Sequence, residues 1–357
     1  MAARFLPGLR LAGEFFAEVV RPLLAELSPG LRYSAALLGP GSEVLGFDTP
    51  RSTDHDWGPR LQIFLGGGTT GRATAQLSQV LATRLPAGFR GYPVRYPLTG
   101  EPLSAARPHV TVTTLDRWLR GQLGFQPQRG VSTLDWLATP AQRLAEVTGG
   151  AVFHDGLGEL GPVRARLAWY PDDLWRYVLA CQWRRLAQEE PFAGRCAEAG
   201  DEPGSVVITA RLARDLMRLG LLMDRRYPPY SKWLGTAFAR SPAGPVIGPP
   251  LAAALSALTW PAREKALGQA LLAAAARHND LGLTEPVPAT LRQFHDRPYL
   301  ILDGDRFTAA LRASITSPLV RGLPLAGSVG QFSDSTDAVG ELPALRAATA
   351  ALLRLPG

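Results

Sequence analysis

Residues 37–60 read Leu37-Leu38-Gly39-Pro40-Gly41-Ser42-Glu43-Val44-Leu45-Gly46-Phe47-Asp48-Thr49-Pro50-Arg51-Ser52-Thr53-Asp54-His55-Asp56-Trp57-Gly58-Pro59-Arg60. An apolar run enters a Gly-Pro-Gly turn, and two acids one residue apart follow it. On a strand, side-chain alternation places the Asp54 and Asp56 carboxylates on one face, where they can share divalent ions, and turns His55 away. Magnesium, or manganese in its place, takes hard oxygen ligands and usually binds one or two carboxylates together with substrate phosphates. Gly41 lets the backbone approach a phosphate and Ser42 adds a hydroxyl. Successive amide hydrogens in such a turn, with a short helix starting after Ser42, make an anion-binding concavity.

Outward from this stretch, Leu11, Phe15, Phe16, Val19, Val20, Leu23 and Leu24 predict a helix over 9–27, stopped by Pro29-Gly30. Residues 32–38 read as a short strand and 55–65 as a longer one. Trp57-Gly58-Pro59 forms a bulge in that longer strand, because proline cannot donate to a ladder. A helix over 70–85, strands over 93–96 and 109–113, helices over 115–123 and 139–148, and a strand over 151–153 complete a mixed α/β module. His154-Asp155 ends the last strand at a glycine turn. Beyond it, 171–190, 206–227 and 249–278 are helical stretches separated by Pro and Gly clusters, followed by a strand over 299–303 and a helix over 342–353. The expected fold is α+β: a mixed sheet with helices over 1–160, then a mainly helical domain over 161–357.

Composition excludes several classes. Hydrophobic residues are 46% and charged residues 19% of the chain, which supplies a core and excludes general disorder. The formal charge of +7 comes from scattered arginines, and favours anionic partners only weakly. Cys181 and Cys196 are too far apart for a redox or zinc pair, and the five histidines share no metal-ligand spacing. Charges interrupt the first 26 residues, and the apolar run 252–260 is too short for a membrane span, so no membrane partner is expected and the compartment expected is the cytoplasm.

Asp303-Gly304-Asp305 is a second copy of the acid pair, but no Gly-Ser precedes it and it reads as a polar turn. The first copy resembles the signature of the DNA polymerase beta superfamily of nucleotidyltransferases, a Gly-Ser followed after about a dozen residues by Asp-x-Asp, shared with aminoglycoside nucleotidyltransferases. Residues 41–48, 54–60, 149–155 and 230–238, with 292–299 and 330–337, are similar to an uncharacterised bacterial family of nucleotidyltransferase-like proteins. The resemblance implies a nucleotidyltransferase fold over 1–160 and transfer of a nucleoside monophosphate from a nucleoside triphosphate, ATP by preference, with Mg2+ and release of pyrophosphate. It leaves the acceptor open among a small molecule, RNA and a protein. On it, Asp54 and Asp56 are catalytic and metal-binding, and Gly41 and Ser42 hold phosphate.

Members of the superfamily carry a third carboxylate on a later strand, and 109–113 has none. Asp116 lies just past that strand as a metal-ligand candidate, although it opens a helix and suits an N-terminal cap. Glu101 lies just before. Glu189 and Glu190 are candidates for a general base, against the plainer role of a solvated helix end before Pro191. Lys232, among Tyr230 and Trp233, is a candidate contact for a triphosphate, with the aromatic residues stacking on the base; the alternative is a packed helix connection. Arg60 either meets phosphate or neutralises the nearby acids. The missing acid also admits a different class, a nucleotide-binding regulatory or antitoxin-like protein that has lost turnover.

Overall fold

The apolar stripe of the first helical stretch does form helix, in three pieces. α1 (Gly8–Phe15) runs through one π-type turn, Phe16–Val20, into α2 (Arg21–Leu27). The wide turn falls just before Pro22, which cannot donate to the Glu18 carbonyl and whose ring crowds it. Phe15, Phe16, Val20 and Leu24 from these pieces pack with Ala35, Ile63, Leu81 and Val112 in one core.

The computed structural model describes residues 5–333 and 335–356; Asp334, within one of the stretches carrying the family resemblance, lies outside them. The fold is α+β. Two units divide the chain: Met1–Val131 with Arg143–Ala168, and Ser132–Gln142 with Trp169–Gly357. The chain passes between the units after Val131, Gln142 and Ala168.

In the first unit, β1 (Tyr33–Leu37) is buried along its length and lies antiparallel to β2 (Arg60–Leu65). α3 (Gly71–Arg84) starts at Thr70, whose hydroxyl accepts from the Ala73 N–H. A small hairpin, β3 (Gly88–Phe89) with β4 (Tyr92–Pro93), precedes β5 (Arg95–Tyr96) and β6 (Arg107–Thr114). α4 (Leu115–Leu123) and, after α5 (Thr133–Ala138) of the second unit, α6 (Ala141–Thr148), β7 (Ala151–Asp155) and α7 (Leu160–Arg166) follow. The sheet order is β5-β6-β2-β1-β7, with β6 parallel to β2 and the other pairs antiparallel. Asp155 closes β7 structurally: its carboxylate accepts from the Ser34 hydroxyl at 2.6 Å and from the Gly158 and Gly161 N–H groups.

The second unit is built on α8 (Asp172–Glu198) and α9 (Glu202–Met223), followed by α10 (Ser231–Ala239), α11 (Gly244–Ser256) and α12 (Trp260–Asp280). A two-residue pair, β8 (Arg292–Gln293) with β9 (Leu300–Ile301), replaces the longer strand predicted over 299–303. α13 (Asp305–Ser314), α14 (Pro318–Gly322), α15 (Val329–Phe332) and α16 (Leu342–Leu353) complete it. Trp183, fully buried, stacks on Phe307 at 4.3 Å and donates its indole N–H to His278 Nδ1 at 3.3 Å.

Two helical expectations are corrected. The stretch 249–278 is two helices, because Pro261 opens α12 after a break at 257–259. α8 passes through Pro191 instead of ending there. An interior proline costs about 3 kcal/mol, and close packing outweighs it: Gly194 is buried, and a Cβ there would lie 2.6 Å from the Tyr299 ring. α5 was not foreseen; Ser132 and Asp135 form its capping box, and Arg346 donates to Asp135 at 2.5 Å. Among the described residues no helix is long and apolar enough to cross a membrane.

Candidate functional site

The two acids do not lie on a strand. Asp54 is the last residue of a 3-10 turn, Pro50–Asp54, that begins at a reciprocal cap between Thr49 and Ser52. Asp56 has φ 49°, the left-handed region that aspartate tolerates better than most residues. β2 begins only at Arg60, since Gly58 at φ 158° and Pro59 keep the chain out of the ladder. The strand alternation expected to align the carboxylates is therefore absent, and Trp57-Gly58-Pro59 precedes the strand instead of bulging within it. Both acids are exposed. Asp54 Oδ1 lies 2.6 Å from His55 Nδ1, and Asp56 accepts from the Thr99 N–H at 2.7 Å and its hydroxyl at 3.0 Å.

The Gly41-Ser42 turn sits at the exit of β1, where a short helix was expected; 42–46 is a hydrogen-bonded turn, closed by the Phe47 N–H on the Ser42 carbonyl at 2.8 Å. A residue that the sequence did not single out organises it. Glu43, 2% exposed, accepts from Arg60 Nε at 2.6 Å, and Arg60 Nη2 donates to the Pro40 carbonyl at 2.6 Å. Arg60 thus neutralises Glu43 and not Asp54 or Asp56. A Cβ on Gly41 would overlap the Arg60 guanidinium and the Glu43 carboxylate, so glycine is what allows the arginine against the turn. Asp48 anchors the same loop, accepting from the Gly8 N–H at 2.7 Å and from the indole of buried Trp57 at 3.3 Å.

Tyr96 is the second residue missed. Its ring lies against Gly58, where a Cβ would sit 2.9 Å away, and stacks on His109 at 4.0 Å. The Tyr96 hydroxyl is buried and has no hydrogen-bond partner among the described residues. Burial pushes its pKa up; Arg60 opposes this, and Glu43 and Asp56 add to it, so the hydroxyl keeps its proton as a donor. His109 stands opposite Arg60 on β6, and burial lowers its pKa despite its bond to the Tyr96 carbonyl.

β6 is the strand beside β2 where a third carboxylate would stand, and it carries none. Asp116 is at the other end: Leu65 pairs with Thr114, so Asp116 lies past the far end of β2, roughly 17 Å along the strand from its start at ~3.3 Å per residue. It is not the cap of α4, which is Thr114; its carboxylate accepts from Gln128 at 3.1 Å. Glu101 lies in the turn that holds Asp56, two residues beyond Thr99. Its carboxylate is tied to Arg107 at 2.7 Å, and that bond keeps its pKa low.

Two exposed carboxylates suit one magnesium ion that takes its remaining oxygens from a triphosphate and water. Among the described residues no three His, Cys, Asp or Glu side chains converge, so a metal held by these acids would need oxygens from its ligand and water as well. The buried Tyr96 hydroxyl, without a hydrogen-bond partner among the described residues, lies in the electrostatic range of Asp56 and Arg60.

The remaining candidates belong to the second unit. Glu189 pairs with Arg211 at 2.8 Å. Glu190 is no solvated helix end: buried, it accepts from the Leu302, Asp303 and Gly304 N–H groups at 2.8, 3.3 and 2.8 Å. Burial pushes its carboxyl up to about 7, against those donors. It is thus a structural cap for the turn leading into α13. Tyr230 precedes α10 and donates its N–H to Gln142 Oε1 at 3.1 Å. Lys232 is exposed, with Nζ 4.9 Å from the Trp233 ring centroid.

Residues 136–234 match DUF4037, a domain of unknown function. The match takes in Glu189, Tyr230 and Lys232 and stops short of the Gly41–Arg60 loop. No curated protein and no solved structure matches the chain.

Proposed function

We propose that the chain is a metal-dependent nucleotidyltransferase, moving a nucleoside monophosphate from a nucleoside triphosphate, ATP by preference, to an acceptor hydroxyl or similar group with release of pyrophosphate. One cluster carries the reading. Gly41, Arg60 and the buried, partnerless Tyr96 hydroxyl meet at the start of β2, within the field of Asp56.

In this reading the Gly41-Ser42 amides and the Ser42 hydroxyl hold phosphate oxygens. The Arg60 guanidinium, already set against the turn by Glu43, adds charge-assisted bonds. Tyr96, kept protonated by burial, donates to a phosphate oxygen that replaces its missing partner. Asp54 and Asp56 would hold Mg2+, which supplies neutralisation of the triphosphate and activation of the attacking oxygen.

The absence of an acid on β6 favours a second reading, a nucleotide-binding regulatory or antitoxin-like protein without turnover. Incubating the full chain with Mg2+, each α-labelled triphosphate and pools of small molecules or RNA separates the two. The first reading expects a labelled acceptor and pyrophosphate in equal amounts. Bound nucleotide without pyrophosphate overturns it and selects the second.

A further inference from the structure

We propose that the outer face of α4, with the turn after it and the end of α7, docks a single strand of nucleic acid. α4 meets the sheet through Trp118, edge-on to Phe64 at 5.7 Å, and through buried Leu115, Leu119 and Leu123. Arg117 and Arg120, three residues apart, share the side turned to solvent, and both are exposed. Neither side chain has a hydrogen bond or an ion pair among the described residues.

Two more arginines join them. The 3-10 turn Pro127–Arg129 is tied to α4 by Gln128, which donates to Asp116 at 3.1 Å, and exposed Arg129 is likewise unpaired among the described residues. Arg166, at the end of α7, donates through Nη1 to the Pro127 carbonyl at 2.6 Å and leaves its other guanidinium nitrogens for a ligand. In 115–130 and α7 the one acid is Asp116. The face therefore sets these guanidinium groups against a single carboxylate, itself engaged by Gln128.

Stability gives no reason for this crowding. Arg117 stands in the first turn of α4, where the helix dipole disfavours a cation. Unpaired like charges on one face repel until an anion lies across them. The basic residues of this face are all arginine, whose planar fork of N–H donors matches phosphate oxygens. Phe125, half-buried between α4 and the turn, makes no ring contact among the described residues and offers a surface on which a base stacks. An acidic protein partner would have no use for that ring. None of these residues is assigned to nucleotide transfer, so either reading can fail alone.

Fluorescence anisotropy of a labelled oligouridylate of about 15 nucleotides, titrated with the full chain without magnesium or triphosphate, tests it. Affinity falls with salt at a logarithmic slope of about −2 to −3, the value for three or four phosphates at ~0.7 each. Arg117→Gln with Arg120→Gln weakens binding by about tenfold or more and takes about 1.4 off that slope. Should that variant unfold, Arg129→Gln alone takes off about 0.7. Ile63 and Phe64 face opposite sides of β2, and α1 and α3 pack with Ile63, away from α4. Arg10→Gln with Arg84→Gln removes the same charge from α1 and α3 and leaves affinity within about twofold. No binding at low salt, equal losses in the two double variants, or polyglutamate bound as tightly as the oligonucleotide with the same dependence on Arg117 and Arg120 overturns the proposal.

Discussion

Asp54→Asn and Asp56→Asn each reduce label transfer from the triphosphate by about 100-fold or more, the scale of removing a group that stabilises transition-state charge. The fold should survive both changes. Each side chain is exposed, where substitutions usually stay within about 0.5 kcal/mol. At Asp56 the conservative change is well chosen, because asparagine also tolerates φ 49° and its carbonyl can still accept from the Thr99 N–H. The paired readout is transfer rate and urea midpoint. Transfer within threefold of wild type in either folded variant removes that acid from the proposed site.

Arg60→Ala destabilises the first unit by about 3–5 kcal/mol, the cost of leaving a buried carboxylate without its ion partner. Glu43 is 2% exposed and Arg60 is its ion partner, so the truncation strands the carboxylate's charge. The loss also removes a donor from the Pro40 carbonyl. Replacing both members, Glu43→Met with Arg60→Met, costs less than Arg60→Ala alone, because no charge is stranded. Urea unfolding of the single and double variants measures this, with unchanged slopes showing that the comparison is one of stability. A single variant within 1 kcal/mol of wild type would mean that Glu43 finds another partner or a proton.

Local pattern made much of the scaffold legible. β1, α4 and α16 lie within a residue of where the apolar spacing puts them. The acid loop misled because Asp-His-Asp-Trp alternates like a strand. The reciprocal Thr49–Ser52 cap and the Gly58-Pro59 pair instead hold it outside the ladder. Pro191 misled in the opposite way: its local preference to end α8 yields to the packing of Tyr299 on Gly194, a contact 105 residues apart that no window contains. Glu43 with Arg60 and Tyr96 with Gly58 are likewise long-range pairs. They form only when β5, β6, β2 and β1 are assembled in one sheet.

In the proposed function the Gly41–Arg60 loop holds a metal-bound triphosphate. The most direct measurement of this is the anomalous scattering of manganese in crystals of the full chain grown with a non-hydrolysable triphosphate. One manganese peak is expected at the carboxylates of Asp54 and Asp56, with phosphate oxygens against Gly41, Ser42 and Arg60. Triphosphate bound elsewhere, or manganese with no contact to either acid, would contradict it.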